Sequence, residues 1–183
     1  MARPIEPAEL LLQANQLASR GKTTPPRTVD LRQAVSSAYY ALYHCITRQV
    51  TLYILPQAQS SERYEFVRHF KHDGILQVCN WILRQNDQTP AQTRECSSTM
   101  RTSKELLTIA DTFKQLQQQR HQADYDHGAE FTKEEVLGVI QLSTAAIEII
   151  MRLSKVNPIT LRCDPTFELF AAHVTLKAQM RPV

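Results

Sequence analysis

Eight consecutive residues, 120–127 with the sequence RHQADYDH, concentrate side chains that can do chemistry. Arg120 is a permanent cation whose planar guanidinium matches a phosphate group. His127 can hold or release a proton near neutral pH, which suits general acid–base catalysis. Together they suffice for metal-free attack of an RNA 2′-hydroxyl on its own phosphate. The arginine would stabilise the charge that develops, and the histidine would move the proton.

The spacing predicts that these residues form the last turns of a helix. At about 100° per residue, Arg120, Asp124 and His127 share one face, and His121 lies beside Tyr125 on a neighbouring face. His127 would lie in the final turn, where the helix dipole favours a charged imidazole. Asp124, one turn from Arg120, is expected to support the guanidinium through an ion pair rather than to act as a base.

A single copy of this helix is poorly arranged to clamp one phosphate. The seven-residue step places the Cα atoms of Arg120 and His127 about 10 Å apart along the helix axis. Long helical side chains also lean toward the helix N-terminus, so Arg120 leans away from His127. Two copies related by a two-fold axis could combine the arginine of one chain with the histidine of the other.

Each member of this cluster also has a purely structural explanation. An exposed ion pair between Arg120 and Asp124 would stabilise the helix by only about 0.2–0.5 kcal/mol. His121 and Tyr125 can form a packing pair, and His127 can simply cap the helix. The pattern alone leaves a catalytic cluster and an ordinary helix end as open alternatives.

Composition predicts a cytoplasmic, mostly helical protein. The 183 residues, 43% of them hydrophobic, suit a single domain over residues 1–183, and only four residues are glycines. The N-terminal apolar stretch carries Glu6 and Glu9, unlike a signal peptide, and no apolar run is expected to span a membrane. Four widely separated cysteines form no CxxC pair, which argues against a zinc site or a disulfide framework and suits core packing: Cys45, Cys79, Cys96 and Cys163.

The net charge of +3 is unevenly distributed along the chain. Residues 1–72 hold nine Lys and Arg against five Asp and Glu, a balance of +4. Residues 73–129 hold six against seven, a balance of −1. Phosphate binding is therefore compatible with the N-terminal part of the chain, but the protein is not a polycation of the histone type.

The apolar periodicity predicts an all-α, up-and-down helical bundle. The expected helices cover 9–19, 28 or 30 to 55, 61–72, 102 or 103 to 127, 132–155 and 165–177, with an apolar stretch at 75–85. The polar stretch 86–103 is expected to be a loop. The signals that bound these helices are Gly21 with Pro25, Ser61, Gly128, the capping box of Thr132 with Glu135, and Asp164 with Pro165.

Three stretches resemble parts of the HEPN superfamily, helical bundles of prokaryotic defence and toxin–antitoxin systems. AVSSAYYALYH (34–44) is similar to the Tyr-Tyr-Ala helix of many small HEPN proteins, and HDGILQVCNWIL (72–83) to their His-x-Gly-apolar connection. RHQADYDH (120–127) resembles their Arg…Asp-Tyr signature. It also fits their ribonuclease motif, an Arg followed by a polar residue and by a His after four to six residues. The resemblance covers roughly residues 28–155, with 1–27 and 157–183 as peripheral additions.

This resemblance implies a metal-independent endoribonuclease that acts as a toxin or defence effector. Family members dimerise with their Arg–His helices at the interface, so Arg120 and His127 would be catalytic, with His121, Asp124 and Tyr125 in support. Many relatives have lost activity and only bind a partner, often a nucleotidyltransferase antitoxin. That enzyme can modify a tyrosine near the motif, for which Tyr125 is the candidate here.

The chain departs from the family at one position that bears on phosphate binding. Many relatives carry an Arg just before Ala-Tyr-Tyr-Ala, where this chain has Ser37. If that arginine binds phosphate in relatives, either Arg32 or Arg48 replaces it here, or no residue does.

Several other side chains are weaker candidates for contacts with RNA. Tyr40 could stack on a base, although Tyr39 is expected in the core and Tyr40 and Tyr43 are expected to divide between core and interface. Arg68 and Lys71, with Arg63, could form a row of side chains that contacts phosphates, but such charges usually form the solvent-exposed face of a helix. His69 and His72 could bind a metal ion as a pair, but no further metal ligand lies at a spacing typical of a metal site. We therefore expect no metal or cofactor.

The helix over 132–155 is apolar nearly all round, apart from a stripe at Gln141, Thr144, Glu148 and Arg152. We therefore expect a homodimer whose interface includes the helices 103–127 and 132–155. Two functions of different classes remain open: a metal-independent ribonuclease, and a non-catalytic dimeric module that binds a nucleotidyltransferase or a nucleotide. Growth arrest on expression without a partner would favour the ribonuclease.

Overall fold

The fold is an all-α helical bundle. A computed structural model describes residues 5–19, 26–84 and 94–179, and within these ranges the regular secondary structure is entirely helical. The helices of this described part are, in chain order, α1 (Pro7–Ala18), α2 (Thr28–Ile54), α3 (Ser60–Val67), α4 (His72–Leu83), α5 (Arg94–Arg101), α6 (Lys104–Tyr125), α7 (Lys133–Leu153) and α8 (Pro165–Gln179).

The predicted capping signals at the starts of α7 and α8 are confirmed, and α6 begins with a cap that was not predicted. Ser103 Oγ accepts a hydrogen bond from the Leu106 amide at 3.2 Å. Thr132 and Glu135 form the reciprocal pair expected of a capping box, with contacts of 2.8 Å and 3.2 Å. Asp164 accepts the amide hydrogen of Thr166 at 2.9 Å, directly before Pro165. These side chains supply acceptors for amides that a helix start would otherwise leave unpaired.

The predicted loop over 86–103 is partly wrong. Residues 94–101 form α5, while 86–93 lie outside the described residues, as do Gly21 and Pro25. The segment looks polar, yet Ser97 and Met100 are completely buried, and α5 packs against α4 and α8. Tertiary packing therefore makes a helix of a stretch whose composition suggests none.

The predicted helix over 61–72 is also divided differently. α3 begins at Ser60 and ends at Val67, and His72 begins α4 instead of ending α3. Ser61 is therefore inside α3 and is not its N-cap. The carboxylate of Glu62 accepts the amide hydrogen of Gln59 at 2.7 Å and so satisfies the start of the helix.

The chain divides into two compact units. The first contains Met1–Cys45 and Thr112–Ile147, and the second contains Ile46–Asp111 and Glu148–Val183. The helices α2, α6 and α7 each contribute a segment to both units. The prediction of one HEPN-like domain over the whole chain stays a prediction.

The first unit is built around the middle of α2. Tyr39 is 1% exposed, as its predicted place in the core requires, and its ring centre lies 5.6 Å from that of Phe113 on α6. The hydroxyl of Ser143 on α7 donates to the Ala38 carbonyl of α2 at 2.7 Å. This bond satisfies a buried polar side chain.

The second unit packs α4, α5 and α8 on one another. Phe167 and Phe170 of α8 are among its largest fully buried side chains. Lys177 Nζ lies 4.6 Å from the ring centre of Trp81, and a Cβ at Gly74 would meet the Lys177 side chain at 3.4 Å. The four cysteines were expected to fill the core. Cys45, Cys79 and Cys163 are buried, and Cys96 is half-buried.

Among the described helices, α7 qualifies as a candidate membrane span by length and composition alone. It has 21 residues, its apolar window has a mean hydropathy of 1.7, and 39% of that window is buried. We expected no apolar run long enough to span a membrane. The sequence pattern did not reveal α7 as such a run, because polar residues interrupt its apolar residues at single positions. The core helix of a soluble protein passes the same test, so α7 is a weak indication of a membrane.

Candidate functional site

Arg120 lies in the first unit and is largely enclosed by tyrosines. Its side chain is 18% exposed, and its Nη2 donates to the Tyr40 hydroxyl at 2.6 Å. The guanidinium carbon lies 5.8, 5.4 and 5.6 Å from the ring centres of Tyr39, Tyr40 and Tyr125. These distances are within the range of cation–π attraction, so the rings hold the guanidinium in one place.

The predicted pairing of Arg120 with Asp124 is present. Arg120 Nε lies 2.8 Å from Asp124 Oδ2, and the aspartate side chain is 30% exposed. The hydroxyl of Ser36 on α2 donates to the other carboxylate oxygen, Asp124 Oδ1, at 2.5 Å. Asp124 therefore joins α2 to α6 through its contacts with the Ser36 hydroxyl and the Arg120 guanidinium.

The surroundings of Arg120 keep its guanidinium charged. The ion pair brings its buried Nε within 2.8 Å of Asp124 Oδ2, although the geometry is not that of a hydrogen bond. Burial alone would lower the pKa of Arg120, but the hydrogen bond to Tyr40 and the charge of Asp124 raise it above the ordinary arginine value. The side chain is therefore a fixed cation.

The predicted position of His127 is wrong in one respect. α6 ends at Tyr125, so His127 lies in the turn after the helix and not in its last turn. The Asp126 carboxylate accepts the Gly128 amide hydrogen at 2.9 Å and so closes this turn around His127. His127 is exposed, and among the described residues it has no hydrogen bond, ion pair or ring contact. Gly128 does not adopt the left-handed backbone typical of a glycine that ends a helix.

Arg32 caps the end of α6. Its Nε and Nη2 donate to the carbonyls of Ala123 and Asp126, each at 2.7 Å, and its Nη1 donates to that of Ala129 at 3.4 Å. The Ala123 carbonyl belongs to the last turn of α6, and the Asp126 carbonyl also accepts the Ala129 amide hydrogen at 3.2 Å. Arg32, one of the candidates for phosphate binding, thus has all three nitrogens engaged with the main chain that flanks His127.

His121 and Tyr125 lie side by side, as their four-residue spacing predicts. Their ring centres are 5.0 Å apart, and 61% of Tyr125 is exposed. This contact fits both the packing pair and the supporting role that the sequence left open.

The remaining basic candidates belong to the second unit. Arg48 is exposed, and so is Lys71. Arg68 is 65% exposed and lies 3.3 Å from Glu65, in a surface ion pair of the kind that stabilises a protein very little. Arg63 donates to the carbonyls of Leu55 and Pro56 at 3.0 and 2.5 Å, beyond the end of α2. Arg63 therefore has a structural partner, and Arg48, Arg68 and Lys71 lie on the surface.

The site contains two residues of α2 that sequence reasoning did not consider. Ser36 holds Asp124, and His44 places its ring 6.4 Å from Tyr40 and 5.3 Å from Tyr43. Burial lowers the pKa of His44. The four-residue steps from Ser36 to Tyr40 and His44 could have indicated one polar face on this helix. Ser37, where many relatives carry an Arg, is 2% exposed, a position with little room for a guanidinium.

Within the described residues, no group of three or more His, Cys, Asp or Glu side chains could hold a metal ion. Comparison of the chain with protein-family models, with curated proteins and with solved structures gives no significant match. The residues and their geometry are therefore the basis for assigning a function.

Proposed function

We propose that the protein is a metal-independent endoribonuclease of the HEPN type, in which Arg120 binds the scissile phosphate and His127 moves the proton. The observation that supports this most is the state of Arg120. A guanidinium that is only 18% exposed, surrounded by three tyrosine rings and paired with a carboxylate is a fixed cation of the kind that binds phosphate.

The chemistry assigned to these groups is transesterification. The 2′-oxygen of RNA bonds to phosphorus while the bond from phosphorus to the 5′-oxygen breaks. His127 accepts the proton of the 2′-hydroxyl, and the departing 5′-oxygen takes a proton from the imidazolium or from water. Arg120 stabilises the negative charge that develops on the phosphate oxygens. The products are a 2′,3′-cyclic phosphate and a 5′-hydroxyl.

The complete site is proposed to need two chains. Among the described residues of one chain, His127 makes no contact with the group that holds Arg120, and it lies in the turn beyond α6. A homodimer would supply the histidine of the partner to the arginine of the first chain. In this proposal the protein is a cytoplasmic toxin or defence effector whose substrate is RNA, and a nucleotidyltransferase acts as its antitoxin.

One observation favours the non-catalytic alternative. Asp124 partly neutralises Arg120, and Tyr40 occupies one of its nitrogens. An ion pair of this kind is also explained by a purely structural role, in which it holds α2 against the end of α6 within the first unit. The chain would then be a dimeric module that binds a nucleotidyltransferase or a nucleotide.

An RNA cleavage assay of the pure protein in EDTA tests the proposal directly. The wild type should cut RNA without added metal and release ends with a 2′,3′-cyclic phosphate, and Arg120→Ala should lose most of this activity. Arg84→Ala, which removes an exposed arginine of the other unit, is the matched control and should cut normally. Cleavage that requires Mg²⁺, or that survives Arg120→Ala, would favour the binding module.

A further inference from the structure

An open cleft of about 650 Å³ lies in the first unit beside the Arg120 cluster. One wall is the first part of α2, and the other is the end of α6. The lining includes Thr28, Val29, Arg32 and Gln33 of α2 and Asp124 and Tyr125 of α6. A cleft of this volume is large enough for one nucleotide-sized ligand.

The cleft is next to the guanidinium that is proposed to bind phosphate. Asp124 lines the cleft and lies 2.8 Å from Arg120. The Tyr125 ring also lines it, and its centre lies 5.6 Å from the Arg120 guanidinium carbon. A ligand in the cleft would therefore be separated from Arg120 by the thickness of one side chain.

The lining does not suit a second phosphate. Its arginine, Arg32, already donates from all three nitrogens to main-chain carbonyls. Its acidic group, Asp124, would repel an anion. The cleft therefore favours a neutral group over a charged one.

The lining does suit a flat ring with a polar edge. Tyr125 and Val29 are each 61% exposed, so both supply apolar surface that a ring can cover. Gln33 and Thr28 are exposed polar residues of the same cleft. Unpaired RNA bases are recognised in this manner, by stacking on an aromatic side chain and by hydrogen bonds to the base edge.

We propose that this cleft binds one unpaired nucleobase of the RNA, adjoining the phosphate that Arg120 holds. The inference rests on the proposed ribonuclease function. The base is one that carries an exocyclic amino group, because the Asp124 carboxylate only accepts hydrogen bonds and the Gln33 amide can both accept and donate. Adenine, cytosine and guanine meet this condition, and uracil does not.

The test measures binding separately from cleavage. Full-length His127→Ala protein is titrated in EDTA with fluorescent single-stranded RNA in which one base is adenine, uracil or absent. Adenine should bind at least roughly tenfold more tightly than the abasic strand and more tightly than uracil, as stacking and edge contacts of one base would provide. Equal binding of all three strands would overturn the inference, even if the wild type cuts RNA.

Two variants connect such a preference to the cleft. Adding Asp124→Asn to the His127→Ala protein supplies an amide that can donate as well as accept, so it should abolish the discrimination between adenine and uracil. Adding Val29→Trp, which fills the cleft, should abolish the advantage of any base over the abasic strand. Gln118→Leu, an exposed glutamine of α6 outside the lining, is the control and should preserve both. Preferences that survive Asp124→Asn and Val29→Trp would contradict the assignment. Base-dependent binding without cleavage by the wild type would instead remove the proposed function and leave the cleft as a nucleobase site.

Discussion

Three kinds of contact hold Arg120 in place: an ion pair with a carboxylate, a hydrogen bond to a tyrosine hydroxyl and cation–π contacts with three tyrosine rings. The ion pair with Asp124 was predictable, since a four-residue step on a helix brings two side chains together. The contacts with Tyr39 and Tyr40 were not predictable, because those residues are 80 or more positions away in the chain. Tyr40, expected as a weak RNA contact, accepts a hydrogen bond from Arg120 instead of standing alone on the surface.

Asp124→Asn should reduce RNA cleavage by about tenfold, since the amide loses the charge that orients Arg120 while keeping the shape of the side chain. His127→Ala should cost more than about a hundredfold, as expected for loss of a proton-transfer group. Initial rates in EDTA measure both effects. Asp111→Asn, an exposed aspartate of the same helix, should change the rate little. A loss with Asp124→Asn as large as with His127→Ala would show that Asp124 does more than orient Arg120.

The end of α6 shows where helical periodicity fails as a guide. The pattern continues to His127, but the helix ends at Tyr125, where Arg32 bonds to the carbonyls of Ala123 and Asp126. The side chain of Asp126 also closes the following turn. A partner 94 residues away cannot be found from local spacing, whereas the local caps Thr132 and Asp164 were found from sequence alone.

Arg32→Leu should lower the free energy of unfolding by about 1.5–3 kcal/mol, because the carbonyls at the end of α6 lose charged donors. Urea denaturation followed by circular dichroism measures this change. Arg68→Leu, which removes an exposed surface ion pair, should change the same quantity by less than about 0.5 kcal/mol. Equal losses of unfolding free energy in the two variants would mean that the Arg32 contacts stabilise the protein no more than an exposed ion pair does.

The connection between α7 and α8 contains a strained residue. Leu161 has a φ of 57° and is the non-glycine residue with positive φ in the described part of the chain. Its amide donates to the Asn157 carbonyl at 2.9 Å, and the Asn157 side chain accepts from the amides of Ile159 and Thr160. The main chain of the turn therefore imposes a left-handed backbone on a leucine that is 77% exposed.

Leu161→Gly should raise the free energy of unfolding by roughly 0.5–1 kcal/mol. The left-handed backbone costs a leucine about 1–2 kcal/mol, while glycine costs about 0.5–1 kcal/mol in chain entropy. Ile159→Gly is the control, because Ile159 is 89% exposed without a positive φ, and it should be neutral or destabilising. Urea midpoints compare the two variants. Destabilisation by both would show that Leu161 is not strained.

The long helices were predictable because their apolar periodicity extends over many turns, as in α2 and α7. The helix α5 was not predictable, because its eight residues include only one large apolar side chain, Met100, and a buried Ser97. Short segments of this kind become helical through the surface they pack against.

The function proposed for the whole molecule depends on its oligomeric state. α7 leaves large apolar side chains exposed in the single chain, with Leu142 at 41% and Met151 at 51%. Surfaces of this kind are often covered in an oligomer. We therefore predict a homodimer whose interface includes α6 and α7. Light scattering at micromolar concentration should give twice the 21.0 kDa mass of the chain, and a monomer would rule out a shared site.

Mixing two inactive variants tests the central proposal most directly. Arg120→Ala and His127→Ala protein, each inactive alone, are combined, allowed to exchange subunits and assayed for RNA cleavage in EDTA. Activity should return to about a quarter of the wild-type rate, because half of the dimers are mixed and each mixed dimer contains one complete site. A mixture that exchanges subunits but stays inactive would contradict a site made from Arg120 of one chain and His127 of the other.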